Sequence, residues 1–120
     1  MRIDNNNRKI YLISAELVPN QVFYKIGYTK RDVNERIKEF KTGNCSNFEI
    51  IYTYTPNDFV VTIEKSLHKH FKDKKIDGEW FKLDKDDILD FPRLCDHFYN
   101  LYNDLQYNNT YIQDNGIKFK

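Results

Sequence analysis

The stretch "FYKIGYTKRDVNERI", residues 23–37, runs a strand-like segment straight into a glycine and then into a basic amphipathic helix. A strand interior gains nothing from glycine unless a backbone or a ligand must come close there. Gly27 is therefore read as a point of close approach, for a phosphate or a neighbouring backbone. Lys25, Lys30, Arg31, Arg36, Lys38 and Lys41 set positive charge alongside it, as a nucleic-acid backbone requires. The bland alternative is a relaxed strand-to-helix turn with solvated lysines. A second constellation lies in "EKSLHKHF", residues 64–71, where Glu64 and His68 stand one helical turn apart and share a face. A carboxylate and an imidazole so placed can serve one site, His68 as a metal contact, proton shuttle or support for Glu64. His70 falls off that face, and His68-x-His70 on a helix is a poor zinc spacing.

The elements that must position these residues alternate along the chain without an internal repeat. "RKIYLIS" (8–14) and "QVFYKIG" (21–27) read as strands, joined through "AELVPN", whose Pro19 and Asn20 supply turn chemistry for an antiparallel hairpin. "RDVNERIKEF" (31–40) places Val33, Arg36, Ile37 and Phe40 at helical spacing, and Gly43-Asn44 is its stop. "FEIIYTY" (48–54) is a third strand. After Pro56, residues 57–71 begin with Asn57 or Asp58 as a cap and align Val60, Ile63, Leu67 and Phe71 on one stripe, which predicts the central helix. "DGEWFKL" (77–83) is a turn into a short aromatic strand, in which Trp80 and Phe81 are read as finishing the core in preference to stacking bases.

Residues 86–106 repeat apolar positions at Ile88, Phe91, Leu94, Phe98, Leu101 and Leu105, an amphipathic helix with an acidic start and a possible kink at Pro92. Its apolar face either covers the sheet or pairs with a second chain as a homodimer. The last residues, 107–120, close as a hairpin at Asn115-Gly116 or stay mobile. The expected fold class is α/β of the α+β type, a small central antiparallel β-sheet flanked by helices with an appended C-terminal amphipathic helix.

A chain of 120 residues makes one domain, large enough to bury roughly two-thirds of its unfolded surface without staples. Cys45 and Cys95 match neither CxxC nor a zinc-finger spacing and are read as reduced structural thiols. No apolar run approaches the roughly 18 residues needed to span a membrane, and the polar N-terminus lacks a leader, so the expectation is an intracellular, non-secreted protein without membrane contact. The net charge of +1 hides an asymmetry: residues 1–83 hold 15 Lys and Arg against 11 Asp and Glu (+4), and residues 84–120 hold 4 against 7 (−3). The basic part contains the strand-glycine-helix stretch, which is compatible with a polyanionic partner.

In order, "KIYLI", "YKIGYT", an Arg in the next helix, "EKSLHKHF" and "GEWFKL" resemble the GIY-YIG nuclease superfamily, closest to the branch carried by phages and large DNA viruses, with a Lys-Ile-Gly second signature and a Glu-Trp-Phe strand, and the resemblance also implies an association with mobile elements. The resemblance covers residues 8–83, the nuclease-like domain, and leaves 84–120 as a helix and tail appended to it. It puts Tyr11 at the tyrosine of the first signature, with Lys9 in place of its glycine, and Gly27 at the glycine of the second, with Lys25 in place of its tyrosine. Tyr24 cannot stand in for that tyrosine, because a shift of one residue turns a strand side chain to the opposite face. Arg36 matches the helix arginine, Phe40 stands where many members carry a tyrosine or histidine, Glu64 matches the acidic metal ligand, and Glu79 lies near the position of a late asparagine.

What the resemblance implies is a metal-dependent DNA endonuclease. Glu64 would hold Mg²⁺ or Mn²⁺, whose remaining positions go to water and phosphate oxygen. Tyr11 would orient or deprotonate the attacking water. With an ordinary pKa near 10, about one tyrosine in a thousand is ionised at neutral pH, so it needs the metal, Lys25 or Arg36 nearby to act as a base. Arg36 would clamp the scissile phosphate with its planar fork, or else pair with Glu39 or Asp32 on its own helix. The departures at Lys9, Lys25 and Phe40 keep a second expectation open, a degenerate relative that binds nucleic acid or a protein without cleaving. A purely structural interaction protein is the third.

Overall fold

The computed structural model of the chain describes residues 8–40 and 46–107. Lys41, Cys45, the Gly43-Asn44 helix stop and the Asn115-Gly116 turn lie outside them. Strands β1 (Lys9–Val18) and β2 (Gln21–Thr29) form the expected antiparallel hairpin, with Tyr11 opposite Gly27 and Ile13 opposite Lys25. Asn20 closes its turn at φ 67°, a conformation asparagine tolerates, and its N–H donates to Glu16 Oε2 at 2.7 Å. β3 (Ser46–Tyr54) pairs antiparallel with the other side of β1, while β4 (Lys75–Asp77) and β5 (Trp80–Phe81) extend the β2 side. The sheet has the order β3-β1-β2-β5-β4 and is antiparallel throughout, with helices on both faces, as the sequence predicts.

β1 is buried without alternation from Ile10 to Ala15, because both of its faces are covered. Ile10 and Leu12 face helices α2 (Val60–His70) and α3 (Lys85–Tyr107), and the predicted stripe of Val60, Ile63, Leu67 and Phe71 packs there. Tyr11, Ile13 and Ala15 face the other way, against Val33 and Ile37 of α1 (Val33–Phe40) and Phe48 of β3. The opposite orientations of neighbours are visible on β2 as well. Lys25 shares the α1 face with its partner Trp80, and Tyr24 packs on the α2 side with its partner Phe81.

Two local details differ from expectation, and a third bears on an alternative left open. The aromatic strand is only two residues long, because Gly78, at φ 56°, folds the chain back onto β4, a fully exposed strand with no apolar pattern to announce it. The N-cap of α2 is neither Asn57 nor Asp58 but Phe59, at φ 68° with no side-chain cap. Left-handed backbone at a bulky residue is strained, and the Phe59 ring is held by edge contacts with Tyr99 at 5.8 Å and a tilted contact with Tyr102 at 6.3 Å. Finally, α3 runs through Pro92 and lays Phe91, Leu94 and Cys95 into the main core, which is the sheet-covering role; Leu89 and Leu101 stay exposed. Its start is a reciprocal cap, the Asp87 N–H donating to Asp84 Oδ1 and the Asp84 N–H to Asp87 Oδ2, both at 2.9 Å. No helix among the described residues is long and apolar enough to cross a membrane.

Candidate functional site

The question raised by Gly27 has a geometric answer. A Cβ built there would lie 2.7 Å from both Tyr11 Cζ and Glu79 Oε1, closer than real Cβ atoms come to anything, with the Tyr11 hydroxyl nearer still. The close approach seen at Gly27 is made by two side chains of the chain itself. The tip of the Tyr11 ring can cross β2 only because its register partner is glycine.

That crossing brings Tyr11 to an edge of the sheet where residues from the other face also arrive. β5 pairs with β2 only at Tyr24 and Lys25, so the next residue, Ile26, turns its backbone groups to other partners. Its N–H donates to the Glu79 carbonyl at 3.1 Å, and its carbonyl accepts from His68 Nε2 at 2.8 Å. His68 Nε2 lies 3.1 Å from Glu64 Oε2 as well. Both partners are acceptors, so Nε2 carries the proton and His68 orients Glu64 as a donor. Burial works against a charged imidazole, but the hydrogen bonds to Glu64 and Ile26, with the charges of Glu64 and Glu79, raise its pKa above the ordinary value. Glu64 itself is only 8% exposed, unlike an ordinary helix-surface carboxylate, and His68 is the side chain that pairs with it among the described residues.

Tyr11 records the convergence electrostatically. Its pKa is pushed up to about 12, by burial first and the Glu79 carboxylate second; the charge and hydrogen bond of Arg36 pull it down without offsetting them, and Glu64 adds to the rise. Tyr11 thus faces Arg36 from α1, Glu79 from the β4–β5 turn and Glu64 from α2. At neutral pH only about one in 100,000 such groups is ionised, so in the metal-free protein Tyr11 is a phenol that donates and accepts hydrogen bonds, not a base. Lys25, expected to help ionise it, has its Nζ 3.1 Å from Glu79 Oε1 and 5.4 Å from the centroid of the Trp80 ring.

Of the residues singled out in the sequence, Tyr11, Lys25, Arg36, Glu64 and His68 gather around Gly27. Lys30, Arg31 and Lys38 are exposed on the β2–α1 turn and on α1, with the Arg31 N–H held by buried Thr29 Oγ1 at 3.0 Å and α1 capped by Asp32 Oδ1 on the Asn34 N–H at 2.7 Å. Lys41 lies outside the described residues. His70 is exposed, away from the site, as its spacing predicts. Trp80 packs edge-on against Phe48 at 6.4 Å and Phe81 is fully buried. The residue that sequence reasoning left without a role is Glu79; its signal was a carboxylate directly after the Asp77-Gly78 turn.

Among the described residues no three His, Cys, Asp or Glu side chains form a metal-binding group. The site nevertheless suits a hard divalent cation that takes one protein carboxylate, because Glu64 is buried, orientated by His68 and paired with neither lysine nor arginine among the described residues.

The T5orf172 domain, a phage-associated and nuclease-like family, matches residues 8–96, which is 89 of the 120 residues. The match runs from β1 into the middle of α3 and includes every residue gathered at Gly27. No curated protein and no solved structure matches the chain.

Proposed function

Because the chain belongs to the T5orf172 domain family, we propose that it is a divalent-metal-dependent endonuclease of the GIY-YIG type that hydrolyses phosphodiester bonds in DNA. The observation that carries this reading is the meeting of Tyr11, Arg36 and Glu64 beside Gly27, from a strand and from helices on opposite faces of the sheet. A tyrosine, an arginine and a carboxylate drawn to one strand edge are groups that phosphoryl transfer can use, to align water, to neutralise phosphoryl charge and to hold a cation.

In this reading Arg36 spreads its fork on the phosphoryl oxygens and neutralises charge that develops there. The Tyr11 hydroxyl aligns the attacking water, and Lys25 adds a second cation. His68 holds Glu64 in one orientation through Nε2–H, which would fix the carboxylate that would hold the cation. Glu64 would hold Mg²⁺ or Mn²⁺, and the chemistry such a cation would supply there is Lewis acidity toward the phosphate and the attacking water. Lys30, Arg31 and Lys38, on the exposed turn and helix beside the site, track the backbone further from the scissile bond.

The test is incubation of pure protein with supercoiled plasmid and labelled branched, single-stranded and RNA substrates, with Mg²⁺, Mn²⁺ or chelator. Metal-dependent cleavage of DNA by the wild type, absent in Glu64→Gln, is the expected result. Cleavage of no substrate, or equal cleavage by both proteins, removes the assignment. The second reading, a degenerate nucleic-acid binder, is favoured by one specific observation: Lys25, standing in place of the second signature's tyrosine, is paired to Glu79, and Tyr11, pushed up to about 12, is held as a phenol.

A further inference from the structure

Glu79 is held at both its backbone and its side chain. The backbone carbonyl is fixed to the β2 edge by the Ile26 N–H, and Oε1 lies 3.1 Å from Lys25 Nζ, beside the Tyr11 hydroxyl and over Gly27. Gly78, at φ 56°, makes the turn that delivers it there. The two partners differ in exposure: the Lys25 side chain is 13% exposed, sunk over Trp80, and the Glu79 side chain is 41% exposed. The carboxylate is thus the solvent-side member of the pair.

To an ammonium, a carboxylate and a phosphodiester offer the same chemistry, two oxygens sharing one negative charge. A nucleic-acid phosphate approaching Tyr11 and Arg36 would meet the Glu79 charge on the way and would need Lys25 for itself. We infer that Glu79 is an internal competitor for the substrate phosphate: its carboxylate occupies Lys25 in the free protein and releases it to the phosphodiester of a bound nucleic acid. The inference rests on the nucleic-acid reading of the site and adds a residue that governs entry to it. A half-exposed ion pair is weak enough to exchange, which an entry device requires. It also accounts for a lysine buried further than its neighbours Lys30 and Lys38, since a carboxylate accompanies it.

The experiment is binding of a labelled DNA duplex by fluorescence anisotropy in chelator, across a salt series, with the wild type, Glu79→Gln, Lys25→Met and the double variant. Glu79→Gln keeps the backbone anchor and the side-chain shape. It is expected to bind roughly two- to fivefold more tightly at low salt. Its log–log salt dependence should steepen by about 0.9, the slope of one further duplex phosphate neutralised. Both gains should vanish in the Lys25→Met background. Glu79→Asp, which retains the charge but draws it back from Lys25, should steepen the slope in the same way, and a thermal melt of each variant reports its fold. Equal slopes in wild type, Glu79→Gln and Glu79→Asp, or a gain that survives Lys25→Met, overturn the inference while leaving nucleic-acid binding in place. Absence of duplex binding by every protein removes the nucleic-acid reading and this inference together.

Discussion

On the face of Ile10, Leu12 and Ile26, helices α2 and α3 bury a cluster of thirteen residues; on the face of Tyr11, Ile13 and Ala15, α1 covers a described cluster of six. Among the described residues the same sheet therefore carries a thick cover and a thin one, and the site takes different parts from each. Glu64 and His68 stand on the thick side, on a helix pinned to α3 through Phe59 and its aromatic neighbours and through a hydrogen bond between Ser66 and Tyr102. Arg36, Lys30, Arg31 and Lys38 belong to the thin side, where an eight-residue helix is too short to be stable without its packing. On the proposed reading, the carboxylate that would hold the metal is built on the more thickly covered face, and the residues that would follow the nucleic-acid backbone are built on the thinner one.

The strongest way to break this comparison is at Glu64. Glu64→Gln removes the carboxylate charge proposed to hold the cation without changing shape, so cleavage under saturating Mg²⁺ should fall to the chelator background, while duplex binding is kept or improved by lost repulsion. Single-turnover cleavage and anisotropy on the same preparation check both halves. If binding and cleavage fell together, the rigid face would be serving the fold and not the chemistry.

Stability should divide along the same line. Phe91 is fully buried between α3 and the sheet and makes an edge contact with Tyr52 at 6.1 Å, so Phe91→Ala is expected to cost about 3–5 kcal/mol. Ile37→Ala, under the thinner cover, should fall near the lower end of the aliphatic range, about 2 kcal/mol, because a shallow site collapses more readily. Urea denaturation measures both. Equal costs would mean that the two faces are equally well packed despite their difference in depth.

Arg36→Ala sharpens the functional half of the comparison. Loss of a preorganised donor to a developing anion costs on the order of 10²- to 10³-fold in rate. Since Arg36 is half-buried on the short helix, the melting temperature should move little while kcat falls. A variant that loses stability and rate together would instead assign Arg36 to holding Tyr11 and α1 in place.

How much of this was legible in the sequence follows from which forces leave a pattern in it. The hairpin, the stripe Val60–Ile63–Leu67–Phe71 and the amphipathic α3 are written in apolar periodicity and turn residues, and they fold where those signals put them. Tyr11, Arg36 and Glu64 could be picked out because five separated motifs stood in order, although nothing in their spacing tells that Glu64 comes from the opposite face. β4 has no buried residue and so no pattern, and the Phe59 cap is fixed by tertiary packing that overrides the local preference for Asn57 or Asp58. The role of Gly27 was legible as close approach but not as to what approaches, because Tyr11 and Glu79 are brought there by strand register and by a turn, from positions far apart in the chain.

The smallest expected effect compares one tyrosine from each face. Tyr11, on the α1 side, is held near 12 by burial and then Glu79; Tyr54, which packs on the α2–α3 side, is also raised, by burial first and then by the charge and hydrogen bond of Asp96. A group whose pKa is higher folded than unfolded contributes stability that is complete below the unfolded value, near 10, and is lost as pH climbs through the folded one. For Tyr11 that window runs from about 10 to about 12, and a rise of this size corresponds to roughly 2–3 kcal/mol at its alkaline end. Melting measured from pH 8 to 12 should therefore show a stability plateau, then a decline beginning near pH 10. Tyr11→Phe should flatten the decline between 10 and 12, and Tyr54→Phe should flatten a part of it that extends to higher pH. If Tyr11→Phe leaves the alkaline limb unchanged while Tyr54→Phe moves it, the thin face opens before its tyrosine ionises. The two covers would then differ in cooperativity as well as in depth, with α1 yielding first and the half that carries Glu64 persisting.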